Sequence, residues 1–221
     1  MEFPYVDIHT HKNRDKQGVV ALHSALYGRE TDCTEGLCSC GIHPWDADKL
    51  SSDTARKFLM QSTNCAAIGE TGFDFTQGRH HEQQQTELFR LHLDAATELG
   101  LPLMVHCVKG YDELIREINL HHPKPVAVII HGFRGSEQQT VQLAQRQGFY
   151  LSYGALLGKS DNTRRAIRAT PPGKLLLETD DSAMEIEEVY ALAADALGTT
   201  LQELKKRIYS NYKKIFHDDD K

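Results

Sequence analysis

The stretch EQQQTELFRLHLDAATELG at residues 82–100, followed by LPLMVH at 101–106, decides the architecture. Phe89, His92, Leu93, Ala96 and Leu99 fall on one face of a 3.6-residue period, so the segment reads as a helix over 82–99. Gly100 then ends it and Pro102 bars its continuation. Residues 103–105 form an apolar run too short for a helix, and a similar run at 66–68 precedes the helix, so the unit reads strand, helix, strand. Working outward, further short apolar runs lie at 5–8, 19–26, 37–41, 126–130, 150–153 and 175–177, giving eight strand candidates. Helical patterns fall at 47–61, 111–119, 136–147, 162–169, 184–197 and 201–215, with Ser136 a natural N-cap.

Eight strands alternating with helices predict a single α/β domain, a (β/α)8 TIM-type barrel over residues 1–216 with an acidic tail at 217–221. The links 9–18 and 27–36 hold ten residues each, little room for a crossover helix. The first two crossover helices are therefore expected to be missing, and the 19–26 strand is expected to run antiparallel to its neighbours.

Composition narrows the function. The 221 residues carry 31 Asp and Glu against 25 Lys and Arg, a formal charge of −6. That argues against a large basic nucleic-acid surface, since phosphate affinity rests on many cationic contacts. It leaves room for a site in which a bound metal supplies the positive charge. No apolar run approaches the 18 or so residues that span a bilayer, so no membrane partner is expected. Met1-Glu2-Phe3-Pro4 shows no signal peptide, and a cytoplasmic location is expected. Cys33, Cys38, Cys40, Cys65 and Cys107 then read as reduced, mostly buried thiols. A thiolate metal site on Cys33, Cys38 and Cys40 is the alternative.

Histidine is abundant, with 12 in the chain, and its placement carries the chemistry. In Val6-Asp7-Ile8-His9-Thr10-His11, strand alternation puts Asp7, His9 and His11 on one face. Two imidazoles two residues apart can chelate one divalent ion, with Asp7 placed to hold a ring N–H. Glu70 follows a short apolar run between Gly69 and Gly72. His106 and His131 each follow an apolar run directly, and Asp180 follows 175–177 at a distance of three residues. Imidazoles and carboxylates thus recur at the carboxyl ends of strands, where barrel enzymes place their sites. They are ligands suited to Zn, Mn or Ni, and to Mg where carboxylates dominate.

These residues resemble the TatD family of metal-dependent deoxyribonucleases, within the amidohydrolase-like barrel superfamily. The resemblance runs from about Tyr5 to Phe216. It rests on Asp7-Ile8-His9-Thr10-His11, Gly41-Ile42-His43-Pro44-Trp45, Ile68 to Asp74, Leu101 to His106, His131 to Ser136, Leu175 to Asp180 and Ser210 to Phe216. It implies hydrolysis of a phosphodiester, in DNA or a small substrate, with two divalent ions per subunit. By position, His9, His11 and Asp180 would hold one ion, His106 and His131 the other, and Glu70 would bridge them. His43 would contact substrate phosphate. The stretch between the HxH and GxHP motifs, and the loop after Asp180, are shorter than is usual in the family.

The expected chemistry is attack by a metal-bound hydroxide, since metal binding can lower the pKa of water from 15.7 to about 7. Asp180 is placed to accept the proton, with Glu178 beside it, and Arg134 and Lys109 to steady phosphate charge. Two alternatives share these residues: a hydrolase of a small ester, lactone, amide or phosphomonoester, and a metal-stabilised binding module without catalysis.

Overall fold

The computed structural model describes residues 3–12, 16–29, 37–76 and 78–216. Eight strands form one sheet in chain order: β1 (Tyr5–Thr10), β2 (Val19–Leu26), β3 (Leu37–Gly41), β4 (Ala67–Asp74), β5 (Leu103–Val108), β6 (Val128–Ile130), β7 (Phe149–Tyr153) and β8 (Leu175–Leu177). Seven helices are described: α1 (Ser52–Met60), α2 (Glu82–Leu99), α3 (Tyr111–Leu120), α4 (Glu137–Ala144), α5 (Asp161–Ala169), α6 (Ile186–Leu197) and α7 (Leu201–Phe216). A parallel bridge between Thr10 and Asp180 returns the strand order to its start, giving the (β/α)8 barrel topology. The acidic tail at 217–221 and Cys33 lie outside the described residues. Among the described residues, no helix is long and apolar enough to cross a membrane.

The described residues of the links after β1 and β2, 11–12, 16–18 and 27–29, contain no helix; the remainder of both links lies outside the described residues. The expected antiparallel β2 is corrected. It pairs parallel to β1, with Tyr5 opposite Val19 and Thr10 opposite His23. Chain reach explains this. The six-residue β1 rises roughly 20 Å, and eight residues of extended chain span roughly 26 Å, so no helix is needed to return to the start of a parallel neighbour. β4 is also longer than the apolar run at 66–68. It continues through Gly69 and Gly72 to Asp74, buried throughout. A Cβ at Gly69 would collide with the Met104 carbonyl of β5, and one at Gly41 would collide with the Gly69 backbone. These glycines are therefore sites of close strand approach rather than turn markers.

The chain divides into two compact units, Met1–His23 with Ile130–Lys221, and Ser24–Ile129. In the first, α6 is pinned to β1 because the Val6 N–H donates to the Tyr190 hydroxyl at 3.0 Å, which donates back to Val6 O. α7 is tied down by Asn211, whose amide donates to Pro172 O and Leu175 O at 2.8 Å each. A reciprocal cap between Ser136 and Gln139 starts α4.

In the second unit, α2 packs Phe89 against Phe73 of β4, ring centroids 5.2 Å apart. His92 is fully buried on the same helix. Its Nε2 accepts from the Ile42 N–H at 3.0 Å and its Nδ1 lies 2.8 Å from Leu88 O, so the neutral ring with its proton on Nδ1 satisfies both contacts. Burial depresses its pKa from 6.5 to about 4, against the opposing pull of the Leu88 carbonyl. As pH falls from 6.5 towards 4, the unfolded chain takes up a proton that folded His92 refuses. Stability should therefore decline across that window, by up to about 3 kcal/mol. Urea unfolding of the wild type against His92→Leu measures it: the variant, though less stable at neutral pH, should lose this part of the slope.

Candidate metal centre

In the first unit, β1 and the residues after β8 meet edge to edge. Asp180 N–H donates to His9 O at 2.9 Å, and His11 N–H to Asp180 O at 3.3 Å. Asp7, fully buried, accepts from the Thr179 N–H at 2.8 Å and from the Thr179 hydroxyl at 2.6 Å. Its recorded bonds thus splice the two segments, a role not apparent from the HxH spacing. The splice sets Asp180 Oδ1 3.5 Å from His11 Nε2 and 3.8 Å from His9 Nε2. His131 stacks on His9 with ring centroids 4.0 Å apart, and its Nδ1 lies 3.8 Å from Glu178 Oε1. Glu178 is fully buried. Its Oε1 accepts from the Gly132 N–H at 2.5 Å, and its Oε2 has no hydrogen-bond partner among the described residues.

Two donor groups result here: His9, His11 and Asp180, and His131, Glu178 and Asp180, each with one ligand atom per residue within 4.8 Å of the others. Such mixed imidazole and carboxylate sets suit divalent ions, and a buried carboxylate oxygen lacking a hydrogen bond fits a nearby cation. A cleft of about 380 Å³ opens beside them, lined among others by Arg134, Lys159, Glu178 and Asp180. Arg134, a sequence candidate for phosphate contact, lines this cleft. Lys159 was missed; its only signal is its position in the Gly154–Lys159 segment after β7. Lys109 is exposed just beyond β5 and adopts φ +61.

The second unit gathers His43, Glu70 and His106 in the same way, again within 4.8 Å. Glu70 is not at a solvated turn: it lies within β4 and is 2% exposed. Its Oε1 is 3.1 Å from His106 Nδ1 and 3.4 Å from His43 Nε2. His43 Nδ1 accepts from the Trp45 N–H at 3.2 Å, which leaves the ring proton on Nε2, facing Glu70.

Asp74 completes the arrangement without having been singled out from sequence. Its Oδ2 lies 3.0 Å from His106 Nε2 and accepts from the Trp45 indole N–H, also at 3.0 Å. Thr76 donates twice to Oδ1. Burial alone would raise the Asp74 pKa, but the hydrogen bonds from His106 and Thr76 outweigh it and hold the carboxyl well below the usual range. Asp74 fixes the orientation of the His106 ring, with Nε2 towards Asp74 and Nδ1 3.1 Å from Glu70 Oε1. The signal was its place two residues beyond Gly72, on the same strand face as Glu70 by alternation.

Comparison with known proteins agrees with this architecture. A TatD homologue from Escherichia coli K12 superposes with a TM-score of 0.82 at 22% identity, covering 96% of this chain and 97% of its own. A TatD family hydrolase from Entamoeba histolytica gives 0.79 at 16% identity, covering 98% and 99%. In sequence, the chain is 31% identical over 172 residues to a Pantoea sp. (strain At-9b) protein named 3'-5' ssDNA/RNA exonuclease TatD. That match covers 74% of this chain and 65% of the relative. A protein of the same name from Erwinia tasmaniensis is 29% identical over 64% of this chain and 56% of its own length. The match thus spans under two thirds of either relative. Residues 30–217 match the family described as TatD related DNase, and with its motifs in their expected order the chain belongs to that family.

Proposed function

We propose that the chain is a divalent-metal-dependent phosphodiesterase that hydrolyses single-stranded nucleic acid. The observation that carries this reading is the gathering of imidazole and carboxylate donors, within each unit, at the carboxyl ends of strands in a TatD-family chain. His9, His11 and Asp180 are proposed to take one ion. The family pattern gives His106 and His131 to the second and Glu70 to both, and the proposal keeps that assignment. Bound divalent ions supply Lewis acidity, make a water molecule acidic enough to attack at neutral pH, and neutralise charge on the attacking and leaving oxygens.

The chain's own groups do the rest. Asp180 accepts the proton of the attacking water. Arg134, Lys159, Lys109 and the Nε2–H of His43 contact phosphate oxygens. Trp45 supports an unpaired substrate. It is 58% exposed, its indole is fixed by Asp74, and it walls a cleft with Lys49, His80 and His81. A fixed, open aromatic face favours stacking of a free base, and the formal charge of −6 argues against a broad basic surface for a duplex.

Asp74→Asn should lower kcat/KM for an oligonucleotide roughly 10–100-fold and weaken metal affinity to a similar degree, because His106 loses the anion that orients it. The reading itself is tested by a side-by-side panel of single-stranded DNA, RNA, duplex DNA, a chromogenic phosphodiester, a phosphomonoester and a lactone. Preference for the single strands and the phosphodiester is expected. Turnover confined to the lactone or the phosphomonoester would overturn it.

A further inference from the structure

The cysteines and Glu178 both stand outside the proposed ion assignment. The sulfurs near β3 are covalently satisfied. Cys65 meets β3 from the turn before β4 and is joined to Cys40 as a disulfide, with Cα atoms 6.1 Å apart. Cys38 is disulfide-bonded as well. These bonds correct the expectation of reduced thiols and leave no thiolate on Cys38 or Cys40 for a metal. Cys107 is free, and burial pushes its thiol pKa up, away from reactivity.

Glu178 is not settled in this way. It follows β8 directly, its N–H donates to Tyr153 O at 3.1 Å, and it is fully buried. A Cβ at Gly154 would come within 3.4 Å of its Cγ, so the glycine leaves it room. A buried carboxylate is costly unless a cation or several hydrogen bonds compensate it. Oε1 accepts one bond, from the Gly132 N–H, and Oε2 accepts none among the described residues. Its ion-pair partner among them is His131, with Nδ1 3.8 Å from Oε1.

We propose that Glu178 is a positioning residue: its charge keeps the His131 proton on Nδ1 and so presents Nε2 to the ion. This rests on the reading above that His131 holds an ion. An imidazole ligates through one nitrogen while the other carries the proton, and a carboxylate beside the ring fixes which. With Nε2 committed to a cation, the Nδ1–H is a stronger donor, and the ring passes to Glu178 the positive charge that its burial lacks. At 3.8 Å the contact is electrostatic rather than a hydrogen bond. The Glu178 side chain is 1% exposed, so it acts through His131 and not on substrate. The other unit shows the pairing in tighter form, with Asp74 Oδ2 3.0 Å from His106 Nε2.

The test is zinc binding by the full chain, stripped of metal and titrated in competition with a chromophoric chelator. Glu178→Gln keeps the volume and loses the charge, and it should weaken one of two zinc equivalents roughly 10–100-fold. Glu178→Asp keeps the charge and loses a methylene, and it should bind closer to wild type than the glutamine variant. A packing role predicts the reverse order. In a His131→Ala background, Glu178→Gln should cost no further affinity, because its route to the ion is gone. Metal-free Glu178→Gln should unfold no lower than wild type, since a neutral isostere removes a desolvation cost. Wild-type affinity in Glu178→Gln, the reverse order, or a loss that adds in full to that of His131→Ala would overturn the proposal. Zinc affinity unchanged in His131→Ala would overturn it together with the place of His131 at the ion. Failure of the nuclease reading on the substrate panel would leave these affinities as predicted.

Discussion

Replacing Glu70 with glutamine should lower kcat/KM for a single-stranded oligonucleotide by roughly 10³-fold or more, since divalent ions contribute several kcal/mol to the transition state. Glutamine fills the same volume in β4 and keeps one oxygen, so shape is not what changes. The loss is a negative charge buried 3.1 Å from His106 and 3.4 Å from His43. An amide is a poor ligand for a divalent ion, and its NH2 group can only donate towards imidazole nitrogens that need to ligate. The fold should survive, because exchanging a buried carboxylate for a neutral isostere also removes its desolvation cost. Lost turnover with retained thermal unfolding and reduced metal content is the expected set of results. Wild-type kcat/KM in metal-saturated Glu70→Gln would remove Glu70 from the site.

The second large effect is expected at Asp180. Asparagine is the informative replacement because Asp180 adopts φ +53, which Asn tolerates and Ala resists at a cost of about 1 kcal/mol or more. Asp180→Asn keeps the backbone bonds to His9 and His11 that splice β1 to the end of β8. It removes the proton acceptor and an anionic ligand together. A fall in kcat of roughly 10²–10⁴-fold is expected, the range associated with general-base catalysis. Unfolding temperature should stay close to wild type, while Asp180→Ala should be less stable. Equal loss of stability in the two variants would make Asp180 a structural residue rather than a chemical one.

Much of this was legible from residue patterns. Gly100 and Pro102 mark the end of α2 so firmly that its C-terminal limit matches the structure, and β2, β3 and β8 match their apolar runs. What escaped detection lay in long-range packing. Gly69 and Gly72 look like turn residues in isolation, and only the approach of β5 shows why a strand needs them. The parallel sense of β2 was hidden because a parallel return was taken to require a helix, whereas extended chain can cover the distance. Val126 looked like part of β6 but is 46% exposed, and the strand starts at Val128. At the site, strand ends identified His9, His106, His131 and Asp180, since alternation and chain order are local properties. Asp74, Lys159 and the meeting of Cys65 with β3 depend on which strands are neighbours, which no local pattern records.

The central claim is that nitrogen and oxygen donors of this chain hold divalent ions on which phosphodiester hydrolysis depends. Its most direct test is metal analysis of the purified protein coupled to single-stranded DNA hydrolysis, before and after chelation and after adding back Zn2+, Mn2+, Ni2+ or Mg2+. The expected result is two equivalents of ion, activity abolished by chelation, and recovery with at least one of the four. Full hydrolysis by the metal-free protein, or a metal-loaded protein inert on every phosphodiester, would contradict it.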